Sequence, residues 1–242
     1  MEDIDDVVEQ HGGAHFNYDW IVDFVYGGID GSVTTFAVVA GASGASLSIP
    51  VILILGFANL FADGFSMSTG KYLSDKANLE QFNKIKSVEF VHLKEKTEHE
   101  RGEIIEILSG YGFKGKDLER ATEIVTSNPD AWVDLMMRNE FNMTHENVKP
   151  FRGAVATFIA FVTIGFIPLI GYVFGPLLGL SVNMKFLFAS VSTLIALFIV
   201  GIVKAKYFVR HWSVSGIETA FIGGFAAAIA YFVGYLLRGI AG

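Results

Sequence analysis

Two groups of side chains in this sequence have the types and the spacing to handle cations. The first stands in apolar surroundings. Asp19, Asp23, Tyr26 and Asp30 recur at i, i+4, i+7 and i+11, one stripe of a helix. Asn59, Asp63 and Met67 stand four apart and share a face of another. Within 20–70, 153–203 and 214–237 the acidic residues are Asp23, Asp30, Asp63 and Glu218, and the basic residue is Lys185, expected in a loop. Carboxylates inside a membrane are costly and usually find a partner. With no Lys or Arg to pair with, the partners left are protons, water and metal cations. Oxygen ligands suit hard cations, whereas the Met67 thioether suits a softer transition metal.

The second group lies in a polar segment. In "EFVHLKEKTEHERGEIIE", residues 89–106, Glu89 and His92 are three apart, as are Glu100 and Glu103. Further on, Met136 and Glu140 are four apart, so each pair shares one helical face. Converging helices bearing Glu, His and Met form a site for divalent transition metals. Plainer accounts stand beside these. Lys84, Lys86, Lys94, Lys96 and Arg101 interleave with the acids as a salt-bridged surface would. Glu100 is placed to close a capping box with Thr97. Asp19 and Asp23 suit a solvated helix start, Met67 suits packing, and Glu218 suits a first helical turn. Asp30 resists such an account, because the stretch "WIVDFVYGG" before it is already mostly apolar.

The elements that must position these residues follow from composition. Of 242 residues 52% are hydrophobic and 18% charged, against about 25% charged in soluble domains. Residues 153–184, 186–203 and 212–237 hold one charged side chain between them, Glu218. Runs of this length and polarity read as membrane helices, since about 20 apolar residues cross the hydrocarbon layer. Five spans are expected, near 20–42, 50–70, 153–176, 186–204 and 214–237, with the Gly/Ser/Pro turn "GASGASLSIP" dividing the first two. The expected fold is therefore all-α: a polytopic membrane protein with a helical insert between spans two and three. Its parts are an N-terminal segment 1–19, spans one and two within 20–70, the insert 71–150, and spans three to five within 151–242. Lys204, Lys206 and Arg210 mark the loop between spans four and five as cytoplasmic. The N-terminus and the insert then face the cytoplasm, and the C-terminus faces outward.

Within the insert, a polar helix continues span two, a second helix runs over about 98–109, and a last one over about 129–142 with Pro129 in its first turn. The first 15 residues are acidic, unlike a cleavable signal. Zero Cys excludes a disulfide framework, a Cys-ligated zinc site and a thiol nucleophile. A net charge of −7 argues against nucleic acid as a partner.

Taken together, "GGIDGSVTTFAVVAGASGA", "GFANLFADGFSMSTGKYLS", "NPDAWVDLMMRNE" and "ETAFIGGFAAAIAYFVG" resemble the vacuolar iron transporter family, over nearly all of the chain. That family includes the yeast vacuolar iron carrier and plant nodulin-like relatives. The resemblance implies five spans, a homodimer in lipid, a cytoplasmic metal-binding insert and proton-driven movement of Fe²⁺, often Mn²⁺, out of the cytoplasm. It implies no prosthetic group: metal is substrate and H⁺ the coupling ion, with Co²⁺ and Zn²⁺ also suited to such ligands. By position, Asp30 and Met67 match the family's pore aspartate and methionine. Glu100 and Glu103 match an insert glutamate pair, and Met136 and Glu140 its methionine and glutamate. Two departures stand out. His92 follows Glu89 where the family has a second glutamate, which makes the site more pH-sensitive. Asn59 stands where some members carry a glutamate, with Asp63 one turn on.

A prokaryotic plasma membrane or a vacuolar membrane suits such a chain equally. Two other classes compete with transport. A membrane-bound di-iron oxidase needs two Glu-x-x-His motifs and two further glutamates, and Glu89-x-x-His92 is the only such motif here. A metal-sensing membrane scaffold would have no use for intramembrane acids.

Overall fold

The computed structural model describes residues 19–143, 148–207 and 211–241. The N-terminal segment 1–18, Arg210 and the side chain of Asp19 lie outside the described residues. Every regular element among the described residues is a helix: α1 (Asp19–Gly44), α2 (Ile49–Glu95), α3 (Thr97–Gly110), α4 (Gly115–Thr126), α5 (Pro129–Asn139), α6 (Pro150–Gly165), α7 (Ile167–Phe174), α8 (Val182–Tyr207) and α9 (Trp212–Ala241). Four of these, α1, α2, α8 and α9, are long and apolar enough to cross a membrane; the bent pair α6–α7 supplies a fifth crossing if it is one span. The chain divides into two compact units, residues 1–72 with 150–242, and residues 73–149.

In the first unit α1 packs against α6, α7, α8 and α9. Hydrocarbon gives helices no hydrophobic reason to associate, so close backbone contact between small residues must hold them together. The α1–α6 crossing shows this: a Cβ on Gly31 would lie 2.5 Å from the Phe161 carbonyl oxygen, and one on Gly27 would lie 2.5 Å from that of Thr157. Around the crossings, Val39, Ile52, Leu60, Phe161, Leu169 and Tyr172 form the core. The outer face is apolar as well, with Ile54, Phe65 and Phe221 about two-thirds exposed, as a lipid-facing surface requires.

The expected third span, 153–176, is two helices rather than one, with a bend of 43° between α6 and α7. Pro168 stands in the first turn of α7 and has no amide for the carbonyl of Ile164 four residues back, so a straight helix cannot pass. Lys185 is also placed differently from expectation. Helix α8 begins at Val182, which puts Lys185 in its first turn, where it is 7% exposed with its stem against Gly175. Helix α9 begins at Trp212, so Glu218 sits in its second turn.

In the second unit the later turns of α2 join α3, α4 and α5 around Phe82, Leu93, Ile104, Leu108, Trp132, Val133, Met136 and Met137. Helix α5 starts as its sequence requires: the Asn128 side chain accepts from the amides of Asp130 and Ala131, and Pro129 occupies the first turn. The expected capping box at α3 does not form. Lys96 stands at the N-cap, and Thr97 Oγ1 donates 2.7 Å back to the Leu93 carbonyl. Because only Lys96 separates α3 from α2, that hydroxyl meets one of the carbonyls left over at the end of α2. Glu100 is thereby left out of capping.

Candidate metal centre

The one-residue break at Lys96 sets the end of α2 against the start of α3. Glu89 and His92 come from α2 and Glu100 from α3. One ligand atom of each lies within 4.8 Å of the other two. His92 Nδ1 is 3.5 Å from Glu89 Oε1 and 3.7 Å from Glu100 Oε1. Glu89 and Glu100 are buried, at 4% and 3% exposure. Glu100 Oε2 is shut from solvent and has no hydrogen-bond partner. A buried carboxylate oxygen left unsatisfied is costly, unless a cation takes the place of the missing donor.

The electrostatics agree. Glu100 is held above the usual carboxylate range, first by burial and then by the charges of Glu103 and Glu89. Glu89 is raised by burial, against the lowering effect of His92. Glu140, exposed at the end of α5, is raised by desolvation and then by Glu103, Glu89 and Glu100, so its carboxylate feels the same cluster. Glu103 supplies much of this repulsion and meets His99 Nε2 at 3.4 Å. Met136 is fully buried in the insert core one turn before Glu140. Of the six expected insert ligands, the fold gathers Glu89, His92 and Glu100 tightly and sets Glu103 and Glu140 within reach of their charge. Met136 it places among packed side chains. Two carboxylates and an imidazole suit a divalent transition metal better than Ca²⁺ or Mg²⁺, which take all-oxygen sets.

Among the membrane residues, Asp30 is half-buried and interacts with the like charge of Asp63. Thr34 Oγ1 donates 2.8 Å to the Asp30 carbonyl. Asn59 Nδ2 donates 3.4 Å to Thr34 Oγ1 and 3.3 Å to Thr35 Oγ1, which ties α2 to the turn that carries Asp30. Met67 is partly buried and packs against the core around Phe161. Asp63 and Tyr26 are exposed on the single chain, Tyr26 at 65%.

One expectation is overturned. Asp23 does have a resident cation: Lys71 Nζ lies 3.3 Å from its Oδ1. Lys71 stands one residue beyond the window 20–70, four residues after Met67 on the same face of α2. Thr34 and Thr35 carry no charge; they lie within the stretch that resembles the family, and the approach of Asn59 is what singles them out.

A family model described as VIT family matches residues 21–235. The chain is 34% identical over 232 residues to the vacuolar iron transporter of Toxoplasma gondii, covering 93% of this chain and 76% of that protein. It is 35% identical over 228 residues to vacuolar iron transporter 1 of Arabidopsis thaliana, covering 93% and 89%. With the vacuolar iron transporter of Plasmodium berghei it shares 29% identity over 238 residues, covering 96% and 87%.

Proposed function

The chain belongs to the VIT family, and on that premise we propose that it is a proton-coupled exporter of divalent transition metal, with Fe²⁺ as its main substrate and Mn²⁺ as a second. It is a multi-pass membrane protein, and its relatives are named as iron transporters rather than as enzymes. The observation that carries the metal reading is the unsatisfied, buried Glu100 oxygen beside Glu89 and His92. Glu103, Glu140 and Met136 complete the insert's ligand set in this account.

The insert faces the cytoplasm, collects metal, and passes it to Asp19 and Asp23 at the mouth of the path. From there metal moves to Asp30 and Met67, with Asn59 and Asp63 on the neighbouring helix. Protonation removes a carboxylate as a ligand, so protons and metal compete for the same oxygens and exchange follows directly. The path is completed by a second copy in a homodimer. The membrane is that of a vacuole or a prokaryotic cell, and the metal leaves the cytoplasm.

A di-iron oxidase gains nothing from the geometry: the tight cluster holds a single His among the described residues, where such centres use two. Fe²⁺ uptake into proteoliposomes under a pH gradient tests the transport reading. Uptake is expected in the parent and is lost in Asp30→Asn. Normal transport by that variant at several pH values would remove Asp30 from the path.

A further inference from the structure

We propose that Lys71 is a tethered competing cation at the Asp23 carboxylate, which bars monovalent ions from the acidic stripe and yields to divalent ones. The proposal rests on the reading of Asp23 and Asp30 as parts of a metal path. Asp23 lies on α1 seven residues before Asp30, and Lys71 lies on α2 four residues after Met67. The pair thus joins the same two helices that carry the proposed path. The Asp23 side chain is 12% exposed and that of Lys71 is 32% exposed, with the ion pair at 3.3 Å. The Asp23 side chain is thus nearly closed to solvent, while that of Lys71 keeps part of its surface open to it.

A nearly buried carboxylate with no countercharge would attract any cation, and free monovalent ions far outnumber free transition metal in a cell. The Lys71 ammonium is tethered by its own chain 3.3 Å from Asp23 Oδ1, so its effective concentration there exceeds that of a free ion. A monovalent ion brings no more charge than the ammonium it would displace and must shed its own water, so the exchange has no drive. A divalent ion brings twice the charge. Both cations cannot sit on one carboxylate without strong repulsion, so the bound divalent ion expels the ammonium. The flexible four-carbon stem then lets Lys71 swing into water without moving the helix. Discrimination here is by valence, and it precedes any choice among divalent metals by ligand type.

Fe²⁺ uptake into proteoliposomes, with ascorbate to keep it reduced, tests this at constant ionic strength as K⁺ replaces choline. The parent is expected to show the same KM in both salts. In Lys71→Gln the KM should fall about two- to fivefold in choline, the scale of a part-exposed ion pair, and rise again as K⁺ is added. Lys71→Arg should behave as the parent, and Lys71→Met carries the same test if the glutamine variant does not insert. A Lys71→Gln protein with parental KM in both salts, in vesicles where Asp30→Asn has lost uptake, overturns the role of Lys71 and leaves the path standing. Uptake that survives in Asp30→Asn overturns the path and this proposal together.

Discussion

Glu100 shows how much a single residue's role depends on what its neighbours leave undone. Thr97 turns its hydroxyl back to Leu93, so Glu100 is not spent on capping, and one of its oxygens is buried without a donor. Glu89, Glu100 and Glu140 are all raised above their ordinary value of 4.5, with burial the leading cause in each. The sign of the consequence follows from linkage. Below the unfolded value these groups are protonated in both states and cost nothing. As pH rises from that value through the raised folded ones, the folded insert must ionise the buried Glu89 and Glu100 and the like-charged Glu140 beside them, so its metal-free stability falls. A divalent ion binds the ionised form, so its stabilising effect grows over the same range. Hydrogen exchange of α3 should therefore show protection falling as pH rises above the ordinary carboxylate value of 4.5 without metal, and recovering when Mn²⁺ is added. Glu100→Gln should remove that pH dependence in large part. It should also weaken metal binding to the full-length protein by more than about tenfold in calorimetry, since loss of an outer-shell partner alone costs 10–100-fold. Unchanged affinity would take Glu100 out of the ligand set.

At the scale of elements, the membrane unit depends on backbone proximity rather than on apolar burial. Hydropathy marks which helices cross, but it says nothing about which face of α1 meets α6. That is decided by Gly27 and Gly31, where a Cβ would meet a carbonyl oxygen of α6. Gly31 is also the residue after Asp30, so the same contact that holds α1 to α6 orients the acid. Gly31→Leu should destabilise the protein by about 1–3 kcal/mol, the usual cost of overpacking, seen as a lower melting temperature in detergent. Transport should fall with it, while metal binding by the insert stays at the parental level. A variant with parental melting and parental transport would show that this crossing does not position Asp30. The bend between α6 and α7 belongs to the same scale, for Pro168 breaks a helix that hydropathy alone draws straight.

For the whole molecule, the surface of the single chain poses a question of its own. Asp63 lies in the apolar stretch of α2 and is exposed, as is Tyr26 on α1. An acid exposed in an apolar stretch is costly against lipid, and the proposed homodimer would cover it. The chain has no Cys, so single-cysteine crosslinking is free of background. Cysteine at the exposed Ala62, beside Asp63, is expected to give a crosslinked dimer in native membranes. A product that stays monomeric, with size-exclusion light scattering also reporting one copy, would overturn the homodimer.

The sequence by itself determined what local chemistry determines: that the chain is helical and apolar enough to cross a membrane, and that Asn128-Pro129 opens a helix. Runs of hydropathy and the capping preferences of neighbouring residues act over a few turns, so they are visible without a fold. Spacing likewise put Glu89 with His92 and Glu100 with Glu103, because three residues make nearly one helical turn. Only the tertiary structure decided that Glu89, His92 and Glu100 converge while Met136 is packed into the insert core. It also decided that Asp23 has Lys71 as its countercharge, and that Asn59 reaches Thr34 and Thr35. Each of these joins residues on different helices. Their distance in space is set by how the helices cross, a quantity that no periodicity along one helix contains.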